Sequence, residues 1–498
     1  MPWVFLKWPI LGGVFTLAFY LITALYLQRE FVFALLFLVL TGSAIYIFAS
    51  QRAYKYRYVY PAVAGMGLFV IFPLFYTVGI GFTNYSASNL LSQERVTDQL
   101  LAKRYQKDEG RFGFELYETP GGVIAYLENG TRYVSPPLPL NGGDFEEPVM
   151  LEEVGVPPAG DALGLRTVIR NREALKQLTL TKPDGTPLEL ASLRSFASLA
   201  PVYSQQDNGS LVDNRTGELY FPNQESGFFE NGEGERLTPG WAVTIGFDNY
   251  MRVLTDPSIS GPFMKIFIWT FTFAGLTVLF TFILGLVLAS LLQWDRIGAK
   301  GFYRTMLILP YAVPAFISIL VFKGLFNQNF GEINLVLENL FGARPDWFSD
   351  PALARTMILI VNTWLGYPYM MLLSMGLLQA IPRDLYEASA MDGAGPIDNL
   401  FRITLPMIIK PMMPLMIASF AFNFNNFVLI ALLTGGAPDI IGASTPAGTT
   451  DLLVSYTYRI AFQDSGQNFG LAAAIATIIF LLVGTLSLIN LKLSKVKV

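Results

Sequence analysis

Residues 266–291 read IFIWTFTFAGLTVLFTFILGLVLASL, a stretch with no charged residue. As a helix rising about 1.5 Å per residue, it is long enough to cross a bilayer core of roughly 30 Å. Working outward, similar runs occupy 9–27, 31–49, 60–82, 305–323, 356–379, 411–434 and 469–491. The run at 9–27 is too long for the apolar core of a secretory signal, lacks a clear cleavage site and is followed almost at once by a second run, so it reads as a retained helix. The expectation is a polytopic membrane protein with eight transmembrane helices. Composition agrees: the 498 residues are 52% hydrophobic and 14% charged, where a soluble domain carries about 25% charged residues. There is no His and no Cys. That removes an imidazole base, a zinc site, a thiol nucleophile, a haem ligand and any disulfide. With 34 Lys and Arg against 38 Asp and Glu, a general nucleic-acid binder is also disfavoured.

Between the third and fourth runs the sequence changes character. Residues 84–262 carry turn signals such as PDGT at 183–186 and DNGS at 207–210, with alternating stretches such as Leu188-Glu189-Leu190 and Glu218-Leu219-Tyr220-Phe221 between them. This predicts a mostly β inserted domain with a helix near 171–178. The chain divides into two N-terminal helices (1–58), a third helix (59–83), the inserted domain (84–262) and a five-helix remainder (263–498). Segment 435–468 reads as a Gly/Pro/Thr-rich loop.

Charge sets the orientation. Lys and Arg concentrate in the short cytoplasmic loops of membrane proteins. One set of loop ends holds 13 of them, including Arg52, Lys55, Arg57, Arg296, Lys300, Arg383, Arg402, Lys410, Lys495 and Lys497; the other holds five, Arg29, Lys323, Arg344, Arg355 and Arg459. Eight spans with both termini inside satisfy this bias, with 84–262 and 435–468 outside and 380–410 inside. The inserted segment itself carries 15 basic and 25 acidic residues, so an acidic outside domain is joined to a basic remainder.

Two spans carry polar stripes. Ser419, Phe422, Asn423 and Asn426 stand at i, i+3, i+4 and i+7, and so do Asn362, Leu365, Gly366 and Tyr369. That spacing is expected to align each set on one helix face. Amides in hydrocarbon are costly unless partnered. They therefore either bond neighbouring helices or face a wet cavity. Amide, hydroxyl and aromatic groups together suit a neutral sugar, and Gly366 is expected to let a group approach the backbone closely. Pro310 and Pro314 in LPYAVPAF should bend the fifth span, as a static kink or as a gating segment.

The loop at 380–410 holds Asp384-Leu-Tyr-Glu387-Ala388-Ser389-Ala390-Met-Asp-Gly393, nine residues, then Ile403-Thr404-Leu405-Pro406. The pattern predicts a short helix, a Gly stop, a second short helix and a Pro that forces a turn into the next span. Ala388, Ser389 and Ala390 are expected to give the first helix a small surface for docking.

This loop resembles the EAA motif of binding-protein-dependent ABC importers: Glu-Ala-Ala, three residues, Gly, nine residues, Ile-x-Leu-Pro. It departs only at Ser389, which stands for the second Ala. With the two extra N-terminal helices, the inserted domain and the run NTWLGYPYMM, the chain is similar to MalF-type permease subunits of maltose/maltodextrin importers. The resemblance implies a type I ABC importer permease fold in a bacterial inner membrane, with an immunoglobulin-like character for the inserted periplasmic domain. It implies a second, MalG-type permease subunit, two MalK-type ATP-binding subunits and a periplasmic maltose-binding protein as partners. Glu387, Ala388, Ser389 and Gly393 would then contact the ATPase. The eight stripe residues would form the maltose or maltodextrin site. No cofactor, metal or nucleic acid is implied.

The chain lacks G-x-x-x-x-G-K-[ST], so no P-loop cradles ATP here. The spans show no acidic or His relay, which favours a partner ATPase over a proton-coupled secondary transporter. A permease for another oligosaccharide, a secondary sugar transporter and a membrane-anchored receptor are the alternatives.

Overall fold

The computed structural model describes residues 2–28, 30–138, 140, 148–294 and 297–493. Arg29, Arg296, Lys495 and Lys497 of the charge bias lie outside the described residues. The chain forms two compact units, residues 1–87 with 244–498, and residues 88–243.

The first unit is helical. Its helices are α1 (Pro2–Leu27), α2 (Phe31–Ala49), α3 (Tyr60–Ile80), α4 (Asp248–Thr255), α5 (Pro257–Gln293), α6 (Lys300–Ala312), α7 (Ala315–Leu325) and α8 (Glu332–Phe341). They continue with α9 (Pro351–Gln379), α10 (Arg383–Met391), α11 (Pro396–Phe424), α12 (Phe427–Leu433), α13 (Leu453–Phe462) and α14 (Phe469–Leu493). Among the described residues α1, α2, α3, α5, α9 and α11 are each long and apolar enough to cross a membrane. The expected fifth span differs: α6 and α7 pass only as a pair, bent by 91°. The cause is local. Pro314 excludes helical backbone from the residue before it, and Val313 is extended at φ −99°, ψ 129°.

The expected seventh span, 411–434, also differs. α11 starts at Pro396, ends at Phe424, and gives way to α12 across Asn425–Asn426. No turn forms at Pro406. A π-turn over Leu400–Thr404 sends the Leu405 N–H back to the Leu400 carbonyl, and Pro406, which lacks an N–H, follows without breaking the helix. Segment 435–468 is not wholly a loop, because it contains α13.

Two helices start on the same device. Asp256 accepts from the Ser258 N–H at 3.0 Å before Pro257, and Asp350 accepts from Ala352 and Leu353 N–H at 2.8 Å before Pro351. An Asp cap with Pro at the first helical position satisfies the helix start without needing the missing N–H. α5 and α9 pack along each other. Trp269, Phe273, Met357, Ile358, Val361, Leu429 and Ile430 form one apolar core; Phe282, Leu286, Met370, Met371, Ile408 and Met412 form another. By contrast, almost no residue in the spans of α1, α2 and α3 is fully buried, as in helices that face lipid. The 435–452 segment folds onto α5 and α9: Trp269 Nε1 donates to the Thr450 carbonyl at 3.3 Å, and Arg355 Nε to that of Thr449 at 2.9 Å. Asp451, fully buried there, accepts from Gly448 N–H, Ser455 Oγ and Arg459 Nη1 at 2.7–2.8 Å. Burial pushes its carboxyl up, against the pull of Arg459.

The second unit is β-rich. The long strand Arg104–Thr119 pairs with Gly122–Asn129 and Ser195–Pro201 at the centre of a nine-stranded sheet. A five-stranded meander runs from Tyr203–Gln205 to Arg236–Leu237. Each sheet has its own core, around Leu116, Leu127, Leu180 and Phe196 and around Leu100, Leu211, Phe229 and Trp241. The short helix Arg172–Gln177 lies where the sequence predicts one.

Candidate functional site

All eight stripe residues line one cavity of about 890 Å³ in the helical unit. α9 supplies Asn362, Leu365, Gly366 and Tyr369; α11 supplies Ser419, Phe422 and Asn423. Asn426 does not belong to the same helix face as expected. α11 has ended, and Asn426 caps α12, its side-chain oxygen accepting from the Leu429 N–H. It reaches the cavity because the helix break turns it there.

Part of the cavity lining is polar. Asn362 and Asn423 are each 5% exposed, and a buried amide needs partners. Asn362 Nδ2 donates to Asn423 Oδ1 at 2.7 Å and to Thr277 Oγ1 at 3.1 Å. Asn426 Nδ2 donates to Asn362 Oδ1 at 3.2 Å, and Asn423 Nδ2 to the Ser419 carbonyl at 2.8 Å. The amides bond one another across neighbouring helices, and they do so at a cavity wall. The lining also includes the rings of Tyr311, Phe316 and Tyr369. No lining residue carries a charge, so the arrangement suits a neutral, hydroxyl-bearing ligand with apolar faces.

Gly366 does admit a close neighbour, but from the protein. A Cβ there would sit 2.9 Å from Thr281 Cγ2 on α5. Sequence reasoning missed Thr277, Thr281, Tyr311 and Phe316. The proline-rich LPYAVPAF segment pointed to the bend but not to Tyr311 beside it. Thr277 and Thr281 carried a helical i, i+4 spacing that was not used.

The EAA-like loop forms a second candidate site. α10 carries Glu387 and Ala388 exposed, and Gly393 ends the turn at φ +79°, a backbone conformation that favours glycine. Ser389 does not share the exposed small surface. Its hydroxyl turns inward and donates to Asn399 Oδ1. Three successive helical residues lie about 100° apart and so point to different faces. Tyr386 and Thr404 hydroxyls meet at 2.9 Å, so α10 is tied to the chain entering α11 at two points. Leu385, Met391, Ile397 and Phe401 are exposed around it.

With this geometry, comparison with known proteins is decisive. Residues 91–246 match the family described as the MalF P2 domain of the maltose transport system permease. Residues 281–493 match the binding-protein-dependent transport system inner membrane component, and residues 5–52 the MalF N-terminal transmembrane helices. The maltose/maltodextrin transport system permease protein MalF of Escherichia coli strain K12 is 53% identical over 99% of this chain and 97% of its own length; that of Salmonella typhimurium is 54% identical over the same shares. The chain belongs to the MalF family. A solved chain of a bacterial ABC transporter that imports the acidic polysaccharide alginate aligns with 50% of this chain and 84% of its own length, at 22% identity and TM-score 0.44. As a MalF-family permease, the protein is a transport subunit of an inner-membrane, binding-protein-dependent system, and ATP hydrolysis belongs to a separate subunit of that system.

Proposed function

We propose that this permease forms half of the pathway of an ATP-driven importer for maltose and maltodextrins, and that the amide-and-ring cavity is where the sugar passes. The observation that carries the reading is the uncharged cavity on which all eight stripe residues from α9, α11 and the α12 cap converge, six of them polar or aromatic. Its wall is incomplete within one subunit: Phe422 lines it yet is 73% exposed. A MalG-type permease subunit would complete the wall. Of two MalK-type subunits, one would dock on the loop around Glu387, Ala388, Ser389 and Gly393, where exposed Met391 and Ile397 offer apolar contact. A periplasmic maltose-binding protein would deliver the sugar on the side of the β-rich domain and the 435–468 segment. Two mostly antiparallel sheets support an immunoglobulin-like character for that domain. Eight crossings, counting the bent α6–α7 pair and α14, with both termini cytoplasmic, fit the charge bias.

The test is maltose uptake into vesicles holding the assembled complex. Uptake that requires ATP, the ATPase subunits and the binding protein is the expected result. Uptake by the purified chain alone on an ion gradient would establish a secondary transporter instead.

A further inference from the structure

The amide cluster at the cavity wall runs in one direction. The Ser419 carbonyl can only accept, and it takes Asn423 Nδ2. Asn423 Oδ1 is thereby turned to Asn362 and accepts from its Nδ2, and Asn362 Oδ1 accepts from Asn426 Nδ2. At the far end the Leu429 N–H can only donate, and it does so to Asn426 Oδ1 at 3.4 Å. Backbone groups of opposite character fix both ends, so one orientation of the three amides satisfies the whole ladder.

Asn362 is the middle rung, and it alone comes from α9. Its second Nδ2 hydrogen goes to Thr277 Oγ1 at 3.1 Å. Thr277 lies on α5, which supplied no residue to the stripes, and is 1% exposed. We propose that Thr277 is a positioning residue for sugar transport: its hydroxyl oxygen takes the second Nδ2 hydrogen of Asn362 and so holds that amide in the one orientation the ladder admits, with Oδ1 toward Asn426. The proposal rests on the cavity being the sugar site. Without that oxygen a buried N–H of Asn362 loses its partner, which is costly. The relief open to it is to swing Nδ2 toward the cavity, which pulls Oδ1 off Asn426 and loosens the ladder at the helix break.

Thr277→Val keeps the side-chain shape and removes the acceptor. In the assembled transporter it should raise the KM for maltose uptake roughly fivefold, with the maximal rate changing by less than KM does. Thr277→Ser, which keeps the oxygen, should restore the original KM. In an Asn362→Ala background Thr277→Val should add no further shift, since the amide it holds is gone. Thr277→Ala reads the same loss where valine lowers the amount of complex. If Thr277→Val leaves KM unchanged while Asn362→Ala raises it, the positioning role is overturned and the sugar site stands. If neither change moves KM, the sugar site falls and the proposal with it. If valine and alanine both prevent assembly, Thr277 serves packing and the proposal is overturned.

Discussion

Asn362 and Asn423 occupy buried positions in a helix bundle, where leucine would be cheaper. Their partners are each other, Thr277, Ser419 and Asn426. Asn423→Ala leaves Asn362 Nδ2 short of an acceptor, so maltose uptake should fall roughly tenfold while coupling to ATP hydrolysis is retained. Parallel uptake and ATPase assays check this, and unaltered uptake would point to a receptor whose external domain is the working part. The polar positions were legible in the sequence because amides such as Asn362, Asn423 and Asn426 stand out in apolar runs. Thr277 was not. It is one of several threonines along α5, and its partner lies 85 positions away, a pairing that no local period encodes. Gly393 was legible as a stop, and φ +79° gives the reason. Gly393→Val should cost about 1–2 kcal/mol in backbone strain, and should appear as fewer sugars moved per ATP hydrolysed.

At the scale of elements, a hydrophobicity pattern shows length but hides breaks. The run at 411–434 looked continuous because Asn425–Asn426 has neither Gly nor Pro to mark it. The amide side chain of Asn426 caps α12 there and lets the backbone stop and restart. The α6–α7 bend was half legible, since Pro314 announces itself while the 91° angle depends on what packs around it. Pro314→Ala frees Val313 to become helical. The bend should open and withdraw Tyr311 and Phe316 from the cavity, with slower uptake; a longer distance between spin labels at positions 303 and 321 checks it. α10 is tied to the α11 entry through Tyr386–Thr404 and Ser389–Asn399, so a push on α10 reaches the helix that carries Asn423. Glu387→Lys should leave the fold intact and abolish the coupling of uptake to ATP hydrolysis, because Glu387 is exposed and its side chain makes no hydrogen bond or ion pair among the described residues.

For the whole molecule, the β-rich unit has its own cores, and the ends of its chain meet: Asn89 Nδ2 donates to the Gly227 and Trp241 carbonyls at 3.3 and 3.1 Å. Residues 88–243 expressed alone should unfold in one cooperative urea transition. Within it, Arg215 grips Asp213 through Nε and Nη2 at 3.0 and 2.6 Å, which holds that carboxyl below its usual range. A depressed folded value means stabilisation that is present at neutral pH and lost as pH falls through it, below about 4. Asp213→Asn should therefore lower the urea midpoint at pH 7 and flatten its decline in acid. The turn-rich composition showed that this unit is β, but strand order depends on pairings such as Arg104–Thr119 with Ser195–Pro201, nearly a hundred residues apart, which composition does not specify. One consequence of the amide ladder reaches beyond its geometry. Its groups already satisfy one another, so on the proposed reading a sugar hydroxyl that docks there would exchange one hydrogen bond for another and gain little. Residence in the passage would then be short, and the cargo would leave it as readily as it came.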